Sequence, residues 1–165
     1  MTSPDILAIL SPVVLATVLA AVLAAVIFFD LRQMRIPNAL SLILLALFAV
    51  SLVLGGMPAD IWLRLAAAAT VFVLGFIGFA LRMIGGGDVK ILTALTLFIP
   101  FSNLPAMMLS FSGAMILATL AVLIARRLRS GDDSGWAFLQ TKKMPMGLPI
   151  GATGLASPWI LALLG

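Results

Sequence analysis

The chain has 165 residues, 63% of them hydrophobic and 10% charged, with a net charge of +4 and a mean hydropathy of +1.25. A soluble domain is about half apolar and about one quarter charged, so that balance excludes one and points to a single compact membrane domain. There is no Cys, His, Tyr or Glu, which removes disulfides, thiol nucleophiles, Ser-His triads and His- or Cys-ligated metal sites.

A bilayer-spanning helix needs about 20 apolar residues. Residues 6–29 are uncharged and supply the first. Residues 36–54 supply the second, closed by the turn-forming stretch Gly55–Asp60. Residues 61–81 supply the third, with Arg64 near its start. The uncharged run 91–125 is broken by Pro100 and Pro105, leaving a fourth helix near 88–99 and a fifth near 106–125. The fourth, at roughly 18 Å, is too short to cross alone. Irregular backbone at membrane depth survives only inside protein or beside water, so a cavity is expected near Asp88. The sixth covers 144–164, loosened by Pro145, Pro149 and Pro158 and by Gly147, Gly151 and Gly154. The expected class is all-α and polytopic, with about six transmembrane helices in one domain spanning 1–165.

Six crossings alternate sides. Arg32, Arg35, Arg82, Lys90, Arg126, Arg127, Arg129, Lys142 and Lys143 then share one side, nine of the ten basic residues, with Arg64 the exception. Basic residues collect in cytoplasmic loops. This puts the polar loop 126–143 in the cytoplasm and both termini on the extracytoplasmic side. The basic pI is assigned to topology rather than to nucleic acid, and the lipid bilayer is the first partner. The N-terminus lacks the basic n-region of a signal peptide.

Two carboxylates stand out because they end or begin apolar helices. Asp30 follows the first hydrophobic run, and Asp88 opens the fourth helix on the same predicted side. A charge facing lipid is costly, so packing should turn both inward. Two carboxylates that close share a proton. One can then serve as base to a water while the other polarises a carbonyl, which is peptide hydrolysis without a metal or cofactor. The other aspartates fit this poorly. Asp5 and Asp60 fall on the outer side, and Asp132 and Asp133 lie in the polar loop.

Each feature also has a plainer reading. Gly85–Gly87 is either a flexible turn or a surface against which a substrate strand lies. Asp30 is either catalytic or an interfacial group paired with Arg32, Arg35 or Lys90. Lys90 is either a membrane anchor or a group that orients the site, while Arg32 and Arg35 read as anchors. Pro37 is expected at the first position of the second helix, with Asn38 satisfying nearby backbone. The nine Met read as packing.

The blocks D-L-R-Q-M-R-I-P-N (Asp30–Asn38) and G-G-G-D-V-K (Gly85–Lys90) resemble the two signatures of the type IV prepilin peptidases, which are GxGD-type membrane aspartyl proteases related to preflagellin peptidases and, more distantly, presenilin. M-P-M-G-L-P-I-G-A (Met144–Ala152) is similar to the start of that family's last helix. The resemblance implies that Asp30 and Asp88 are the catalytic pair and that Gly85 and Gly87 are the fixed glycines of GxGD. It implies a prepilin or pseudopilin substrate with a short basic leader, cleaved after a Gly at the cytoplasmic membrane edge, a bacterial inner-membrane location and a link to pilus or secretion machinery. Many bacterial members carry a Cys-motif region associated with N-methylation. This chain has no Cys and resembles the short, peptidase-only members of Flp/tight-adherence systems, so methyl transfer is expected to be absent.

Two other functions fit the composition. One is a small transporter or channel component with the aspartates as an ion or proton relay. Against it, both lie at one membrane edge, whereas transport sites lie near the midplane. The other is an inert assembly subunit of a secretion machine.

Overall fold

The structure is a computed structural model that describes residues 3–128, 136–140 and 144–164. Among these every regular element is helical. Helix α1 runs Ser3–Gln33, α2 Asn38–Gly55, α3 Ile61–Ala80 and α4 Gly86–Phe98. A 3-10 turn at Phe101–Asn103 leads into α5, Leu104–Leu128, followed by a one-turn α6, Ala137–Gln140, and α7, Gly147–Leu164. Among the described residues, four stretches are long and apolar enough to cross a bilayer: Val13–Gln33, Asn38–Gly55, Ile61–Ala80 and Phe101–Leu128. The protein is a multi-pass membrane protein on that ground. The 13 residues of α4 rise only about 20 Å.

The core lies where α1, α2, α4 and α7 meet. Leu23, Val26, Leu44, Ile91, Leu95 and Ile150 are its most enclosed apolar side chains. Lipid offers no hydrophobic drive for helices to associate, so close packing through small residues has to supply it. The helix pairs here follow that rule. A Cβ added to Gly75 on α3 would lie 2.7 Å from Val89 Cγ1 on α4. On α7, Gly147, Gly151 and Gly154 meet Asp30, Ile27 and Leu23 of α1 in antiparallel register, with no room for a methyl group at any of the three. The glycines expected to loosen the last helix instead seat it on α1. Pro158 has no N–H to give the carbonyl of Gly154, and the Ser157 hydroxyl donates to that oxygen at 2.8 Å.

Helix α1 continues past the expected limit of residue 29 and carries Asp30 within its last turn. It stops at Met34, whose φ of 50° takes the left-handed conformation of a helix C-cap. Pro37 precedes α2 as its N-cap residue, one place earlier than expected, and Asn38 makes no side-chain cap. Consecutive in sequence, α2 and α3 scarcely touch. The gap between them is an open groove of about 410 Å³ lined by Leu42, Leu45, Phe72, Lys90 and Thr93 among others.

Arg64, the basic residue outside the expected cytoplasmic loops, has a partner at the opposite end from Lys90. Its Nε donates to Asp60 Oδ1 at 2.8 Å, and its guanidinium also reaches the Phe98 carbonyl at 3.4 Å. Asp60 Oδ2 accepts the Phe101 N–H at 2.9 Å. A cation at the C-terminal carbonyls of α4 and a carboxylate on the following turn together fasten the α4–α5 corner to the start of α3.

Within 126–143 the described residues include the end of α5 and the one-turn α6. Trp136 packs edge-on against Phe28 of α1 and Phe138 of α6, and the Arg126 guanidinium donates twice to the Phe138 carbonyl, at 3.0 and 2.8 Å. Asp132 and Asp133 lie outside the described residues, as do Arg129, Lys142 and Lys143.

Candidate active site

Asp30 sits one turn from the end of α1, with its residue only 4% exposed. A buried carboxylate requires donors, and these come from the far end of the chain. The Gly147 N–H donates to Asp30 Oδ2 at 2.6 Å, and the Leu148 N–H also points at this side chain. Asp30 thereby occupies the N-terminus of α7, where unpaired N–H groups and the positive end of the helix dipole favour an anion.

Asp88 occupies the N-terminus of α4. Gly85 is the N-cap residue, and the Asp88 side chain reaches back to its N–H, as the third residue of a capping box does. Its other oxygen differs. Asp88 Oδ1 is buried and has no hydrogen-bond partner. Such groups are rare and call for an explanation.

The two carboxylates are close enough for the charge of Asp30 to act on Asp88. Among the described residues the salt bridge is that of Arg64 with Asp60. None of the three basic partners considered for Asp30 is bonded to it. Arg32 lies over the Phe28 ring, 5.6 Å from its centroid. Lys90 Nζ donates to Asn38 Oδ1 at 2.9 Å.

The glycines before Asp88 are spaces already filled by neighbours. A Cβ on Gly85 would stand 2.5 Å from Asp88 Oδ2, and one on Gly86 3.2 Å from the Phe79 ring. One on Gly87 would press on Ile36, 3.1 Å from its Cβ and 3.3 Å from its carbonyl oxygen. The turn after α1 therefore docks directly on the glycines that open α4. The Lys90–Asn38 hydrogen bond holds the same two segments together a turn further on. Two sequence blocks far apart in the chain form one contiguous unit.

A family model described as the type IV leader peptidase family matches residues 17–125, which is about two thirds of the chain. The chain belongs to the type IV leader peptidase family. No curated protein and no solved structure gives a significant match. Membership makes the protein a peptidase, and so a hydrolase, and the matched stretch contains Asp30, Gly85, Gly87, Asp88 and Lys90. It ends before Gly147. That residue escaped the sequence reading as a functional position, although its spacing from Gly151 and Gly154 on one helical face was visible.

Proposed function

We propose that the protein is an aspartyl endopeptidase that removes the short basic leader of type IV prepilins or pseudopilins, with Asp30 and Asp88 as its catalytic pair. One observation carries the reading. Buried Asp30 and half-buried Asp88, from different helices, lie within electrostatic reach, without a basic partner among the described residues, and the enclosed Asp88 Oδ1 has no hydrogen bond. Leaving a buried acceptor unpaired costs about 1–3 kcal/mol. A fold bears that readily at a site where water and substrate complete the bonding.

The chemistry follows from a shared proton. The ionised carboxylate takes a proton from water as the water oxygen attacks the scissile carbonyl carbon. The protonated carboxyl donates a hydrogen bond to the carbonyl oxygen. The tetrahedral adduct then collapses, the C–N bond breaks, and the amine departs with a proton returned by the pair. Gly85 leaves room for the Asp88 carboxylate, Gly87 lets the turn at Ile36 close on α4, and Lys90 fixes that segment on Asn38. In this reading six crossings leave both termini outside the cytoplasm. The cut falls at the cytoplasmic edge of a bacterial inner membrane, and pilus or secretion machinery takes up the product.

Co-expression of a tagged prepilin with the wild type, Asp30→Asn or Asp88→Asn tests this. Leader removal is expected from the wild type alone. Full processing by either variant would reject the paired-carboxylate mechanism.

A further inference from the structure

The α1–α7 seam contains three close approaches, and they are not equivalent. A Cβ on Gly154 would meet Leu23 Cδ1 at 2.7 Å, and one on Gly151 would meet Ile27 Cγ1 at 2.5 Å. Both neighbours are hydrocarbon, so these glycines serve packing. Gly147, at the end of the same stripe, faces Asp30 instead. Its Cβ would lie 2.7 Å from Asp30 Cβ and 2.9 Å from both Cγ and Oδ2, and its N–H already donates to Oδ2 at 2.6 Å.

Resting on the reading of Asp30 and Asp88 as the catalytic pair, we propose that Gly147 is a positioning residue for the hydrolysis. Its backbone N–H, at the first position of α7, sets the orientation of the Asp30 carboxylate relative to Asp88. An N–H can only donate, so Oδ2 is reserved as an acceptor. The pair's proton must then lie on the remaining oxygen of Asp30 or on Asp88. Pinning one oxygen also fixes the plane of the carboxylate and hence the direction of the other. The absence of a Cβ is what lets the backbone come this close. Gly151, whose Cβ would stand 2.5 Å from Ile27 Cγ1 and 3.0 Å from the Leu23 carbonyl oxygen, keeps α7 at the required distance, whereas a Cβ on Gly154 would meet only the side-chain ends of Leu23 and Leu95. A carboxylate serving only to cap α7 would account for the same hydrogen bond, so the test has to separate orientation from stability.

The full-length protein in detergent micelles would be assayed with a purified prepilin for kcat, KM and the pH profile of kcat, with thermal unfolding in parallel. Gly147→Ala inserts a methyl group against Asp30. Gly154→Ala inserts one into the same seam against Leu23. A third variant replaces Gly147 by glycolate through nonsense suppression, turning its N–H into an ester oxygen and adding no bulk. The expected result is a kcat loss on the order of 100-fold for Gly147→Ala, the effect of a misplacement of about 1 Å. KM should stay within about threefold, and the pH profile should change shape. The ester variant should show the same pattern more weakly, and Gly154→Ala should keep kcat within about threefold.

If Gly147→Ala loses activity only in proportion to its folded fraction, as Gly154→Ala does, the inference is wrong. An ester variant with wild-type kcat and pH profile would also overturn it, and that variant decides the matter should Gly147→Ala fail to fold. Asp30→Asn, run alongside, keeps the two levels apart. A cleaving Asp30→Asn refutes the aspartyl mechanism itself. An inactive Asp30→Asn beside a fully active Gly147→Ala refutes only the positioning role.

Discussion

Gly151→Ala tests whether the α1–α7 spacing governs activity. The added methyl carbon would stand 2.5 Å from Ile27 Cγ1, 2.9 Å from Ile27 Cδ1 and 3.0 Å from the Leu23 carbonyl oxygen. Comfortable carbon contacts are about 3.5–4.0 Å. The Leu23 oxygen asks for only a few tenths of an ångström, but Ile27 is β-branched and held near one χ1 rotamer in its helix, with Cγ1 next to its backbone, so clearing it parts the helices by about 1 Å. Gly147 lies about one turn along the same face. A displacement of that size takes its 2.6 Å bond to Asp30 beyond hydrogen-bonding distance. Alanine gains about 1 kcal/mol over glycine inside a helix, while overpacking costs about 1–3 kcal/mol. The net loss of stability is about 0–2 kcal/mol, or roughly 0–8 °C in thermal midpoint for a chain of this size. Activity should fall far more, by about 10- to 100-fold in prepilin cleavage. Ile27→Ala in the same chain removes the nearest obstructing atoms and should restore most of the loss, a coupling that a double-mutant cycle reads directly. Wild-type cleavage by Gly151→Ala, or a double variant no better than the single one, would refute the reasoning.

Two other perturbations have defined outcomes. The Phe101 N–H, and after it the Arg64 guanidinium, hold the Asp60 carboxyl below its ordinary 3.8. Its contribution to stability is therefore present above that value and is lost as pH falls through the lower folded value. The wild-type midpoint should drop relative to Asp60→Asn as a thermal series is carried below about pH 4, and parallel curves would show that the α4–α5 corner does not depend on this charge. Gly85→Ala meets no backbone obstacle, since φ is −73°, but its methyl group would stand 2.5 Å from Asp88 Oδ2. Cleavage should fall on the order of 100-fold with helicity intact, whereas Gly55→Ala, with nothing within 4 Å, should be silent.

What could be read from the sequence was whatever the bilayer imposes locally. Uncharged runs gave the long helices, and two prolines marked the break after α4. A carboxylate at the edge of an apolar run has to be explained by what it faces, which is how Asp30 and Asp88 stood out before any geometry was known. Pairings across distance were hidden. Asn38 was expected to serve its own backbone and instead accepts from Lys90, a partner that depends on how α2 lies on α4. The glycines of α7 were read by their intrinsic helix weakness, whereas in lipid close approach outweighs propensity. The Asp60–Arg64 pair has the four-residue spacing of helix neighbours and was open to inspection. The tie from Asp60 to Phe101 was not, because it depends on where α4 ends. Helix α6 escaped because a single turn leaves no periodicity, and its place is set by Trp136 leaning on Phe28.

The brevity of α4 has a consequence for the surrounding lipid. A hydrocarbon layer about 30 Å deep cannot be matched by a helix of about 20 Å, flanked by the glycine turn at one end and the Phe101–Asn103 turn at the other. Bilayers answer such a mismatch by thinning around the short element. A dimple there would bring headgroups and solvent down toward Asp88. A peptide bond at the rim of a stiff membrane helix could then become wet without being pulled out of the bilayer.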